Sequence, residues 1–199
     1  MARVINLKNN DKRKQTERFK TVFLAIGSNR GNRKENIESA LRLLRSDKDI
    51  EIVKVSAMLK NPPQEGIKTG YFLNGAIKVL TLLSPHELLN VCKNIEKCLG
   101  RDTEGRTYRP RVIDLDILFY EDKIINTKDL VIPHPRLHKR NFVLIPMMEI
   151  GKDFRHPVSR KTILELYKNV VITQPQPALK TVQVKYKGLN KVLDEAAAI

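Results

Sequence analysis

Asp114 and Asp116, in the segment VIDLDILFY (residues 112–120), are the side chains in this sequence best suited to chemistry. Their β-branched and aromatic neighbours predict a strand, where alternate side chains share a face about 6.5 to 7 Å apart along the chain. Two carboxylates so arranged repel each other unless a divalent cation or a basic group offsets their charge. Mg2+, a hard ion, favours carboxylate oxygens together with substrate phosphates. Such a pair can hold two metal ions about 3.5 to 4 Å apart around a phosphorus under attack. The pattern also fits an edge strand whose polar face meets water and needs no metal, although Asp is depleted in strands.

The loop before this strand, GRDTEGRTYRPR (residues 100–111), carries Arg101, Arg106, Arg109 and Arg111 with Gly100 and Gly105 as hinges. Guanidinium forks bind phosphate oxygens bidentately and neutralise charge that develops in phosphoryl transfer, so an arginine loop running into an acidic strand describes a polyphosphate site beneath a lid. An isolated arginine cluster would more simply be a solvated loop. His134 stands between two prolines, with Arg136, His138, Lys139 and Arg140 close by. It is either a phosphate-contacting histidine or a loop histidine without a role. Asn74 interrupts the apolar run YFLNGA (residues 71–76) and needs hydrogen-bond partners if buried. A backbone group would serve, and so would the edge of a heterocycle, on which Phe72 could stack from the same face. Phe142 on its own reads as an ordinary core residue.

The elements that must position these residues follow from periodicity. TVFLAI (21–26) predicts a buried strand ending in the Gly27-Ser28-Asn29 turn, and Ile37, Ala40, Leu41 and Leu44 predict a helix over 33–46 capped by Asn32. Residues 50–59 predict one strand, Pro62-Pro63 an irregular loop, and residues 71–81 a third strand. Ser84-Pro85-His86-Glu87 is a capping box opening a helix over 85–99 that Gly100 stops. A weak strand at 123–125 and short helices at 141–150 and 162–168 complete the pattern. The order β-α-β-β-α-β predicts an α+β, ferredoxin-like sandwich, a mainly antiparallel sheet covered on one face by two helices.

The chain has 199 residues, 41% of them hydrophobic, enough for one core. The expected division is a flexible basic extension at 1–19, a domain at 20–170, and a linker and tail at 171–199 of unassigned role. With no long apolar run and no secretory leader pattern, a cytoplasmic protein with no membrane partner is expected. Cys92 and Cys98 fall six residues apart on one helix, too far around and along it to bridge, and both read as small buried hydrophobes. Lys and Arg number 37 against 22 acids, a formal charge of +15 that points to a polyanionic partner, part of it in the first twenty residues.

These segments together give the chain a resemblance to the 6-hydroxymethyl-7,8-dihydropterin pyrophosphokinases, from about Thr21 to about Tyr167. It is carried by AIGSN (25–29), Pro62-Pro63, YFLNGA (71–76), IEKCLGR (95–101), RPRVIDLDILFY (109–120) and IPHPRLHKRNFVLIP (132–146), in that order. The resemblance implies transfer of diphosphate from ATP to the hydroxymethyl arm of a reduced pterin in folate synthesis, with AMP leaving. It implies that Asp114 and Asp116 hold two Mg2+ ions, that Asn74 reads the pterin edge, and that Phe72 and Phe142 sandwich its ring. Arg101 and Arg111 match arginines of a mobile catalytic loop. Glu96, His134, Arg140 and Ile117 match positions near the nucleotide. Association with other folate enzymes is a further expectation. The sequence departs from the common pattern at Thr107-Tyr108-Arg109-Pro110-Arg111, where many relatives read Arg-Trp-Gly-Pro-Arg, and at Asn61, which replaces a frequent threonine.

Two other readings compete. A nucleic-acid-binding module would suit the charge, but such sheets need exposed aromatics where this strand has two carboxylates. A different two-metal nucleotide enzyme would suit the aspartates and arginines. It would not account for Asn74 with its aromatic neighbours, which call for a flat heterocycle, so no nucleic-acid partner is expected.

Overall fold

In the computed structural model, residues 18–62, 70–100, 111–173 and 180–182 are described. Arg101, Arg106, Arg109, Gly105, Pro63 and most of the N-terminal extension lie outside them.

The predicted elements form in the predicted order. Strand β1 (Lys20–Ser28) leads into α1 (Arg33–Ser46), where the side chain of Asn32 accepts from Glu35 N and so satisfies one orphan donor of the first turn. Ile37, Ala40, Leu41 and Leu44, one helical stripe, are all buried. Strands β2 (Ile50–Val55), β3 (Met58–Asn61) and β4 (Phe72–Thr81) follow, then α2 (Pro85–Cys98), with its capping box formed between Ser84 and Glu87. Gly100, at φ 89°, ends that helix in the left-handed region that glycine enters without steric cost. Strand β5 (Asp114–Tyr120) is followed by a two-residue ladder of β6 (Ile125–Asn126) with β7 (Val131–Ile132), then α3 (Asn141–Gly151), α4 (Ile163–Thr173) and β8 (Lys180–Val182).

The main sheet runs β5-β1-β4-β3-β8, with β2 also pairing β4, and every pairing is antiparallel. The long β4 therefore carries β2 along one half and β3 along the other. The segment expected as one strand breaks at Ser56-Ala57. Ser56 N donates to Ala76 O and Ser56 Oγ accepts from Ala76 N, both at 2.9 Å, while Ala57 N finds Glu149 Oε2 on α3 at 2.8 Å. Side chains thus satisfy backbone groups where the ladder is interrupted.

The sheet is covered on both faces, not on one. α1 and α2 bury Leu41, Leu44, Leu88 and Cys92 against Val22, Leu24, Leu115 and Ile117. On the opposite face, Val143, Leu144 and Met147 of α3 and Leu166 of α4 pack with Phe23, Leu118 and Phe119. The apolar stripe of α3 demands that second layer, which a two-helix arrangement leaves out. Within the stretch expected as linker and tail, residues 171–173 complete α4 and residues 180–182 pair with β3 as β8. Cys92 is buried as expected, its thiol pushed up to about 12 chiefly by burial, whereas Cys98 is exposed. No helix among the described residues is long and apolar enough to cross a membrane.

Replacing Ser56 with Ala leaves the buried Ala76 N–H without its acceptor. It should lower stability by about 1–3 kcal/mol in urea denaturation, the cost of an unsatisfied buried donor.

Candidate active site

Register does most of the positioning. Gly27 of β1 pairs with Asn74 on one side and Asp114 on the other, so the amide and the first carboxylate lie in one row across the sheet, about 10 Å apart by strand spacing. Ala25 pairs in the same way with Ala76 and Asp116. Asp114 and Asp116 therefore share a face, and the two β1 residues between the walls have almost no side chain. A Cβ on Gly27 would come within 2.5 Å of Asn74 Oδ1, so glycine here makes room for the amide. Read as part of a turn from sequence, Gly27 lies inside the ladder.

Over this floor opens a cleft of about 320 Å3. Phe72, Asn74 and Asn61 line one wall, Asp114, Asp116 and Arg111 the other, and His134, Arg136, Arg140 and Phe142 close it from the loop before α3 and that helix's first turn. Asn74 Nδ2 donates to Asn61 Oδ1 at 2.6 Å, which orients the amide with its oxygen toward the Gly27 floor. Phe142 has the Arg140 guanidinium 5.5 Å from its ring centroid.

On the acidic wall, Arg111 Nη1 donates to Asp114 Oδ2 at 2.7 Å and Oδ1 at 2.9 Å. Asn29, buried at the end of β1, fixes the backbone of Arg111: its Oδ1 accepts from Arg111 N at 2.6 Å and its N donates to Arg111 O at 3.1 Å. Nothing beside Asn29 in the sequence gives it this task. Its signal was a polar residue directly after an apolar strand, which a turn explains equally well.

His134 is anchored by its own N–H, which donates to Leu118 O at 3.0 Å. Its Nδ1 accepts from Arg136 N at 3.2 Å, so the neutral ring carries its proton on Nε2, 3.9 Å from Asp116 Oδ2. Burial, then the Arg140 and Arg136 cations, push its pKa down to about 4. At neutral pH the ring is an uncharged donor, and its contact with Asp116 is not an ion pair. Burial and Arg136 lower Arg140 as well, opposed by Asp116 and Asp114. His138 and Lys139, from the same basic run, do not line the cleft.

The side chains of two residues expected near the nucleotide do not line this cleft. Ile117 faces the α1/α2 layer at 4% exposure, because strand alternation turns it away from Asp116, so its side chain does not reach the cleft. Glu96, on α2 and 6% exposed, accepts from Leu115 N at 2.8 Å and thereby braces the strand between the two aspartates. Arg101 lies outside the described residues.

Among the described residues, no group of three or more His, Cys, Asp or Glu side chains gathers as a metal cage. Two carboxylates on an open cleft still match Mg2+, which commonly takes one or two protein carboxylates and completes its shell with phosphate oxygens and water.

Comparison with known proteins follows the same lines. A family model described as 7,8-dihydro-6-hydroxymethylpterin-pyrophosphokinase (HPPK) matches residues 23–152. The chain is 41% identical over 145 residues to a 2-amino-4-hydroxy-6-hydroxymethyldihydropteridine pyrophosphokinase of Aquifex aeolicus, covering 73% of this chain and 89% of that protein. It is 47% identical over 137 residues to a folate synthesis bifunctional protein of Arabidopsis thaliana, covering 68% of this chain but 28% of that protein. A crystal structure of wild-type HPPK-DHPS from Plasmodium falciparum superposes with a TM-score of 0.60 at 18% identity, over 78% of this chain and 45% of that one, a likeness of fold. The chain thus spans less than half the length of several relatives it matches.

Replacing Asn29 with Ala should speed amide exchange at Arg111 in hydrogen–deuterium exchange. The lost acceptor should cost about 1–3 kcal/mol in thermal or urea melts.

Proposed function

The chain belongs to the 7,8-dihydro-6-hydroxymethylpterin-pyrophosphokinase family, and from that premise we propose that it transfers diphosphate from ATP to the hydroxymethyl group of 6-hydroxymethyl-7,8-dihydropterin, releasing AMP. The observation that carries this reading is the row Asn74-Gly27-Asp114, in which a polar amide and a carboxylate face one cleft across a floor without side chains. A flat heterocycle fits the amide wall and a polyphosphate the wall of Asp114, Asp116 and Arg111. The strand order β5-β1-β4-β3, with helices in both crossovers, supports a ferredoxin-like core beneath the site.

On this reading Asn74 hydrogen-bonds the pterin edge while Phe72 and Phe142 cover the faces of its ring. Asp114 and Asp116 would hold two Mg2+ ions, which when bound supply charge neutralisation and orientation to the triphosphate. Arg111 and Arg140 meet phosphate oxygens as the transferred charge develops, and Arg101 joins them from the loop. His134, uncharged at neutral pH, donates from Nε2 rather than adding a further cation. Glu96 braces β5 through Leu115 N, beside the position the nucleotide would take. The attacking hydroxyl would be acidified by metal coordination, with Asp116 a second acceptor for its proton. Association with another folate enzyme belongs to the same reading, supported by the bifunctional relative, as does a cytoplasmic location.

Incubation with Mg2+, ATP and 6-hydroxymethyl-7,8-dihydropterin should yield AMP; ADP as the nucleotide product, or no turnover, would reject the assignment. Asp114→Asn and Asp116→Asn should each lower kcat by at least about a hundredfold, the scale of losing a group that stabilises transition-state charge, with circular dichroism unchanged. Gly27→Ala should weaken pterin binding about tenfold, equivalent to 1.4 kcal/mol, in a fluorescence titration, because the added methyl displaces the Asn74 amide.

A further inference from the structure

A guanidinium outside the cleft ties its two walls together. Arg33, the first residue of α1, donates from Nε to the Tyr71 carbonyl at 2.8 Å, from Nη1 to Gly31 O at 3.2 Å and from Nη2 to Asn29 O at 3.4 Å. Its Cζ sits 4.2 Å from the centroid of the Tyr71 ring, which Lys60 Nζ also approaches at 4.0 Å. A Cβ on Gly70 would collide with Arg33 Nη2, so the chain entering β4 runs close against this fork.

The anchors lead to different walls. Tyr71 directly precedes Phe72, and Asn74 follows on the same strand. Asn29 holds both backbone groups of Arg111, the partner of Asp114. The bond to Asn29 is the longest of the three, and Asn29 is already secured by its two bonds to Arg111. The bond to Tyr71 is the shortest, and it acts just before the β3 ladder takes hold at the Asn61–Phe72 pair. Loss of the guanidinium should therefore loosen the amide wall far more than the acidic wall.

We infer that Arg33 is a positioning residue for the heterocyclic substrate: its fork holds the start of β4 against the β1–α1 turn, so that Phe72 and Asn74 stand at a fixed separation from Arg111 and Asp114. This inference rests on the pyrophosphokinase reading above. Lysine cannot substitute, because a single ammonium on a flexible stem does not present three directed donors to three carbonyls.

The test measures pterin and nucleotide separately in wild type, Arg33→Ala and Arg33→Lys. 6-Hydroxymethyl-7,8-dihydropterin is titrated by fluorescence in the presence of Mg2+ and α,β-methylene-ATP, steady-state kinetics are run with Mg2+ and ATP, and thermal melts are recorded. In both variants Kd and KM for the pterin should rise about tenfold while KM for ATP stays within about twofold, a tenfold change being the lower end for one lost charge-assisted bond. An arginine that only stabilised the fold would lower the melting temperature and leave that ratio unchanged. Unaltered pterin affinity, or equal losses for both substrates, overturns the positioning role while AMP formation by wild type leaves the reaction assignment standing. A wild type that forms no AMP removes both. Should Arg33→Ala not fold, Arg33→Lys carries the same comparison.

Discussion

The site depends on the register of one strand with its two neighbours. β1 lies between β4 and β5, and only one alignment brings Gly27 opposite both Asn74 and Asp114. Because side chains alternate, a slip by one residue on either side would turn the amide or the carboxylates into the apolar layer under α1 and α2. The alignment is enforced by that layer: Leu24 and Ile26 on β1, Ile77 on β4 and Leu115 and Ile117 on β5 are all buried there, and a slipped strand would turn its share of them out of it. The hydrophobic face thus sets the geometry of the polar one.

Electrostatics then shapes what the polar face can hold. The carboxylates border a cleft that also contains Arg111, Arg136 and Arg140, so like charges are interleaved with opposite ones and no large single-sign field is buried. Arg111 satisfies Asp114 closely. His134, held neutral by burial and two flanking guanidiniums, contributes a directed donor without a further charge. A triphosphate carried with divalent cations complements this arrangement better than a bare anion, since the cations answer the carboxylates while the guanidiniums answer the phosphates.

The braces around the cleft come from far along the chain and reuse backbone groups that the sheet leaves over. Glu96 on α2 accepts from Leu115, Glu149 on α3 accepts from Ala57 at the β2–β3 break, and Asn29 clamps Arg111. Each meets a main-chain donor that has no strand partner, so stability and site geometry are served by the same bonds. Glu96 illustrates how a buried carboxylate on a helix can fix the strand that carries the two aspartates.

Much of this was legible in the residues themselves. Helix α1 and the capping box of α2 follow from local periodicity and caps, and the shared face of Asp114 and Asp116 follows from strand alternation, because each is fixed by neighbours within a few residues. The pairing of Asn74 with Asn61, the space left by Gly27, the clamp of Asn29 and the bracing role of Glu96 were not. Each depends on a partner brought close by register or packing, and a sequence lists residues without saying which distant ones meet. The second helical layer and the return of residues 180–182 to the sheet edge were decided in the same way, by apolar and backbone surface that needed covering once the sheet had formed.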